Sequence, residues 1–241
     1  MRNHHNWLAL MIGNSRLHWA LFEGELLLQT FDCEQLTNPT ELPFYQSNLP
    51  LYIASVVPQK TARWQNYLKS KIITLEDIPL TGIYQTMGID RALAVYGAGE
   101  NWGFPCLVID GGTALTFTGV CGKKNLVGGA ILPGLKLQLQ SLFLQTAALP
   151  HISLSEKLPP RWALDTPGAI ESGIIYTILA GIRDFLEHWF SDFPTSKVVF
   201  TGGDGELLLS YLKLQDPAIA TEIIFDANLI FLGMRSLVIR H

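Results

Sequence analysis

A glycine turn set between two apolar runs occurs twice in this chain. Near the N-terminus Leu8-Ala-Leu-Met-Ile12 stops at Gly13-Asn-Ser15 and resumes as Arg16-Leu-His-Trp-Ala-Leu-Phe22. In the middle Cys106-Leu-Val-Ile109 stops at Asp110-Gly-Gly-Thr113 and resumes as Ala114-Leu-Thr-Phe-Thr118. β-Branched and aromatic residues on both sides of each break predict strand, tight turn, strand. Because the unit recurs, a duplicated fold of two related halves is expected.

Glycine in such a turn removes the Cβ that blocks a close approach, so backbone N–H groups can face an anion, and a Ser or Thr hydroxyl adds a donor. A third turn, Thr201-Gly-Gly-Asp-Gly205, follows Lys197-Val-Val-Phe200 and precedes the helix-like Glu206-Leu-Leu-Leu-Ser-Tyr-Leu212. Any one of these turns is ordinary hairpin or loop chemistry. Three together, each ending an apolar strand, point to a nucleotide. The two hairpins would clamp its phosphates, and Gly202 and Gly203 would let its sugar or base lie along the backbone.

With 241 residues, 48% apolar and 16% charged, the chain is globular and long enough for one large domain or two ordinary ones. A net charge of -4 with no basic stripe gives no electrostatic reason to expect nucleic acid or an anionic membrane as a partner. No apolar run reaches the length of a membrane span and no cleavage site follows the first residues, so a cytoplasmic location is expected. Cys33, Cys106 and Cys121 are odd in number and widely spaced, which indicates free thiols and neither a disulfide framework nor a zinc site.

Strands are predicted over Leu8–Ile12, Leu17–Phe22, Leu26–Phe31, Leu51–Val57 and Ile72–Leu75, with a helix over Thr61–Lys69. Three strands followed by helix and strand imply a mixed sheet covered by helices. A loop over Thr81–Met87 leads into a helix of small residues, Ala92–Ala98. After the second hairpin come a strand to Ile131, a helix over Leu135–Phe143 entered at Pro133, and an exposed connection over Pro150–Asp165. A long helix from Thr166 to about Phe190 places Ile174, Ile178, Ile182 and Phe185 at core-facing spacing. The final helix, Ala227–Ile239, is expected to pack back on the first half, giving domains 1–105 with 227–241, and 106–226.

Gly88-Ile-Asp-Arg91 puts a carboxylate and a guanidinium at a glycine loop entering a helix. On those four residues alone Asp90 caps the helix and Arg91 is solvated. In a kinase the same pair supplies a base for an attacking hydroxyl and a fork for a substrate carboxylate. With Asp110-Gly-Gly-Thr-Ala114, Gly128-Gly-Ala-Ile-Leu-Pro-Gly134, Thr166 with Ala169-Ile170 and Ser172-Gly173, and Thr201-Gly-Gly203, the chain resembles the type III pantothenate kinases. These belong to the acetate and sugar kinase, Hsp70 and actin superfamily, and the resemblance runs from Ile12 to the helix holding Gly233. It implies a duplicated actin-like, ribonuclease H-like α/β fold with mixed sheets flanked by helices. It also implies ATP-dependent phosphorylation of pantothenate to 4'-phosphopantothenate, the first step towards coenzyme A.

Residue by residue, the resemblance implies that Asp90 is the catalytic base and that Gly88, Ile89, Asp90, Arg91, Thr166 and Tyr84 contact pantothenate. Met11, Ile12, Gly13, Asn14, Ser15, Arg16, Leu17, His18 and Thr113 match the ATP-binding positions, and Asp110 matches the ligand of a potassium or ammonium ion. Mg²⁺ would accompany ATP, and the protein would be a homodimer with the pantothenate site at its interface. One position departs from the pattern: the first hairpin of this family starts with Asp, and here Met11 stands there. A thioether replaces a hard oxygen that Mg²⁺ prefers. Two rival readings therefore stay open, a kinase fold kept as a non-catalytic binding or regulatory protein and an assembly or chaperone-like ATPase.

Overall fold

Trp7 to Ile12 are all buried, so the strand they form has neither face in water and must lie inside a covered sheet. It is β1 (Asn6–Ile12), the centre of a five-stranded sheet of order β3-β2-β1-β4-β5. The computed structural model describes residues 5–34, 41–42, 49–64, 67 and 69–239. These fall into two compact units, 1–101 with 228–241, and 102–227.

In the first unit β2 (Leu17–Glu23) and β3 (Leu26–Cys33) run antiparallel to their neighbours, while β4 (Leu51–Ser55) and β5 (Ser70–Ile72) run parallel. Leu8, Leu10 and Ile12 share one face of β1 with Trp19, Ile53 and Trp64, and Trp19 meets Trp64 edge to face at 5.1 Å. A short helix, α1 (Pro58–Thr61), follows β4, and α2 (Ile89–Trp102) is buried along most of its length. The small residues of α2 admit another backbone. A Cβ on Gly97 would lie 2.6 Å from Leu229 O, and one on Gly233 would run into Leu93 O, so α2 and α7 (Leu229–Ile239) touch backbone to backbone.

The second unit repeats this plan. Its sheet, β8-β7-β6-β9-β10, comprises β6 (Cys106–Gly111), β7 (Ala114–Val120), β8 (Leu126–Pro133), β9 (Lys197–Thr201) and β10 (Ile224–Phe225). Its pairings are antiparallel, antiparallel, parallel, parallel, the same series as in the first sheet. The duplicated α/β fold expected from the repeated turn is therefore present strand for strand. Helices α3 (Leu135–Gln145), α4 (Thr166–Asp192) and α5 (Gly205–Gln215) enclose its core with Ile109, Phe117 and Phe200, and α6 (Pro217–Ala220) precedes β10.

Four local expectations are corrected. The helix expected over Thr61–Lys69 is instead the single turn α1, because Pro58 pre-sets its first φ; residues 65, 66 and 68 lie outside the described residues. The strand expected over Ile72–Leu75 ends at Ile72, since Thr74 and Asp77 form a capping box around a 3-10 turn at Leu75–Asp77. Phe185 reaches the core only at its edge, 41% exposed with its ring stacked on Phe117 at 4.2 Å, and Leu186 continues the fully buried stripe because steps of four from Ile178 and Ile182 arrive there. The connection over Pro150–Asp165 is only partly exposed. Ser172 Oγ donates to Arg161 O at 2.7 Å, Tyr176 Oη donates to Pro159 O at 2.9 Å, and Tyr211 Oη donates to Ser155 O.

Candidate functional site

The first hairpin closes where Ile12 pairs with Leu17, and Gly13 N donates to Arg16 O at 2.9 Å. Asn14, Ser15 and Arg16 are exposed at its tip. The other expected nucleotide residues divide by the period of the strand. Ile12 and Leu17 belong to the core, and Met11 is 2% exposed on the opposite face of β1. His18 remains half-buried beside the tip, its Nε2 3.7 Å from where a Gly13 Cβ would stand. Its Nδ1 pairs with Asp32 Oδ1 at 2.9 Å, and this hydrogen bond holds the Asp32 carboxyl below its usual 3.8. From α1, Lys60 Nζ donates to Asn14 O at 2.9 Å.

In the second unit the other two glycine turns meet. Gly112 N donates to Ala114 O at 3.0 Å across the hairpin, and Asp204 N donates to Gly111 O at 2.7 Å. Gly202 has φ +86°, and a Cβ there would run into Asp110 Oδ1, so only glycine fits beside this carboxylate. Thr113 is exposed at the tip, and its carbonyl accepts from Gly134 N at 2.9 Å. Asp204 is buried and neutralised by Lys136 at 2.5 Å. Asp110, Thr113 and Gly202 thus gather around one hairpin, with Gly203 exposed next to them. Thr166 stands apart, in the first turn of α4, on the wall of a groove of about 890 Å³ shared with Leu142, Leu149, Leu164 and Ile170.

The acid and the arginine sit at the start of α2. Asp90 Oδ1 accepts from Arg91 N at 2.8 Å, and the carboxylate folds back over Gly88, where a Cβ would collide with it. Arg91 is 7% exposed, so the solvated arginine expected from the four-residue motif alone is not found. Its Nη1 donates to Tyr84 Oη at 3.0 Å. Gly88, Ile89, Asp90, Arg91 and Tyr84 therefore form one cluster. Nothing in the sequence singles out Asp32, Lys60 or Lys136, because each pairs with a residue distant in the chain; Asp204 carries one signal, its place inside the third glycine turn.

Among the described residues no group of three or more His, Cys, Asp or Glu side chains converges. Mg²⁺ in phosphoryl-transfer sites keeps waters and substrate phosphates and needs only one or two carboxylates. Asp110 suits that role or a monovalent cation, and the buried Met11 thioether suits neither. Among the described residues no helix is long and apolar enough to cross a membrane.

The sequence profile of type III pantothenate kinase matches residues 7–188. The chain belongs to the type III pantothenate kinase family. The type III pantothenate kinase of Nostoc sp. is 53% identical, over 96% of this chain and 94% of its own length. That of Synechocystis sp. is 50% identical, over 96% and 90%. A Campylobacter jejuni protein assigned to the Baf family of transcriptional activators superposes with a TM-score of 0.68 over 96% of each chain at 24% identity, which shows a shared fold. Membership in an enzyme family of this closeness removes the ground of both rival readings, and the Met11 departure occurs within a pantothenate kinase.

Proposed function

We propose that the chain transfers the terminal phosphoryl group of ATP to the primary hydroxyl of pantothenate, with Asp90 as the base. The observation that carries the assignment is the cluster at the start of α2. There one carboxylate is aimed by the backbone N–H of Arg91, and the Arg91 guanidinium is bound to the Tyr84 hydroxyl. Arg91 and Tyr84 hold the pantothenate carboxylate, and Ile89 and Gly88 shape the wall; in the second unit, Thr166 is the residue with a hydroxyl for pantothenate.

Phosphoryl transfer has a loose transition state, so the protein mainly positions reactants and offsets charge. As the pantothenate oxygen bonds to the γ-phosphorus, the bond from phosphorus to the bridging oxygen breaks and ADP leaves. The hydroxyl proton passes late to Asp90. In the first unit the Gly13–His18 segment is a phosphate-binding turn; in the second, Thr113 is a phosphate-binding residue and Gly202 and Gly203 take the nucleoside. Mg²⁺ and a K⁺ or NH4⁺ ion at Asp110 supply neutralising charge when bound.

The homodimer belongs to the same reading. Leu164 lines the groove that holds Thr166 and is fully exposed, and Trp162, two residues before it in the chain, is 87% exposed. Large apolar side chains left open at a substrate groove suit burial by a second copy.

The deciding experiment is ATP turnover with Mg²⁺ in potassium or sodium, with and without pantothenate. Turnover that requires pantothenate and is faster in potassium is expected. Hydrolysis indifferent to pantothenate overturns the assignment.

A further inference from the structure

The first glycine turn carries an unusual balance of charge. Met11 removes the carboxylate that the resemblance places there, and Lys60 adds a cation. Among the described residues, the charged and titratable groups at or near this turn include Arg16, His18, Asp32 and Lys60, with Glu41 further along at Cys33. Asp32 is engaged by His18 through a hydrogen bond and feels the charge of Arg16. Lys60 is different, because its ammonium is anchored by a neutral carbonyl, Asn14 O, at 2.9 Å. A carboxylate partner would cancel its charge, whereas a carbonyl leaves it whole. An ammonium has three donors, and one suffices to hold Nζ at the tip of the turn. The anchor spans 46 positions of sequence and joins α1, directly after β4, to the tip of the β1–β2 hairpin.

We propose that Lys60 is a phosphate-binding residue of this enzyme. It binds the polyphosphate of the nucleotide at the Gly13-Asn14-Ser15 turn and offsets there the charge that a carboxylate-held cation would otherwise offset. This rests on the reading that the turn receives the phosphates of ATP. A charge-assisted hydrogen bond to phosphate is strong, and a compact ammonium serves as a point charge for it.

The test compares wild type, Lys60→Met and Lys60→Arg in calorimetric binding of ATP, ADP and adenosine, together with KM values for ATP and pantothenate. Lys60→Met should weaken ATP binding roughly 10- to 100-fold, leave adenosine binding and the pantothenate KM within about twofold, and flatten the salt dependence of ATP binding. Lys60→Arg should recover most of the loss. ATP affinity in Lys60→Met within about twofold of wild type overturns the proposal, and so does an equal loss for ATP and adenosine, which marks a structural role. Wild type that binds ATP without phosphorylating pantothenate would refute the kinase reading and leave the lysine standing. Wild type that does not bind ATP would refute both.

Discussion

Arg91 Nη1 donates a 3.0 Å hydrogen bond to Tyr84 Oη, tying a buried guanidinium to a phenol that is 46% exposed. The bond fixes the plane of the fork before any substrate arrives and links the loop ahead of α2 to its first turn. Arg91→Ala should raise the KM for pantothenate far more than that for ATP, and Tyr84→Phe should do so more weakly, by about fivefold. Steady-state kinetics with each substrate varied decides this. Equal effects on both substrates would take Arg91 out of the pantothenate site.

Gly88 leaves room for the Asp90 carboxylate. Gly88→Ala should displace that carboxylate and lower kcat by 100-fold or more at the order-of-magnitude level, with a melting temperature close to wild type. Asp90→Asn should abolish turnover and keep ATP binding. Retained turnover in Asp90→Asn would leave the side chain as no more than a local acceptor for the Arg91 N–H.

Met11 is buried on β1, so restoring the acid there has a cost. Met11→Asp should lower the stability of the nucleotide-free protein by roughly 3–5 kcal/mol. Burial raises the folded-state pKa of such an acid, so the folded protein binds more protons than the unfolded chain above pH ~4, and stability falls as pH rises. Thermal melts at pH 5 and pH 8 should show a larger deficit at pH 8. An equal deficit at both would mean that the carboxylate is solvated.

The Asp32 carboxyl titrates below its usual 3.8 because His18 hydrogen-bonds to it. Its contribution to stability is present above that value and is lost as pH falls through the lower folded-state pKa. Asp32→Asn should therefore flatten the acid end of the stability curve below about pH 4. Both side chains are well exposed, so the change is small. Melting temperatures between pH 5 and pH 3 check it; parallel curves would remove the coupling.

The contact between α2 and α7 has no room for a methyl group. Gly233→Ala should cost about 1–3 kcal/mol by overpacking against Leu93 O, measurable by urea denaturation. A neutral outcome would mean that α7 slides without loss.

The two glycine hairpins were legible because a strand pair needs only local residues: apolar runs of the right length and a turn that glycine permits. The Gly88-Ile-Asp-Arg91 motif marked the start of a helix, although its four residues alone suggest a solvated arginine and Arg91 is buried. The short elements around Pro58 and Thr74 were misjudged, since a proline and a capping box each outweigh hydrophobic spacing over so few residues. Phe185 and Leu186 are neighbours in the chain; Leu186 is fully buried, while Phe185 lies at the edge of the core with its ring stacked on Phe117.

By itself the sequence determined the duplicated plan, the glycine turns at the strand ends, and the family. These depend on local backbone preference and on motifs whose residues are adjacent in the chain. The tertiary structure alone decided that Met11 is buried, that Tyr84 holds Arg91, that His18 leans on Asp32 and that Lys60 reaches Asn14. Those pairings join side chains from separate elements, and their distances exist only once the strands have found their register and the helices have packed against them.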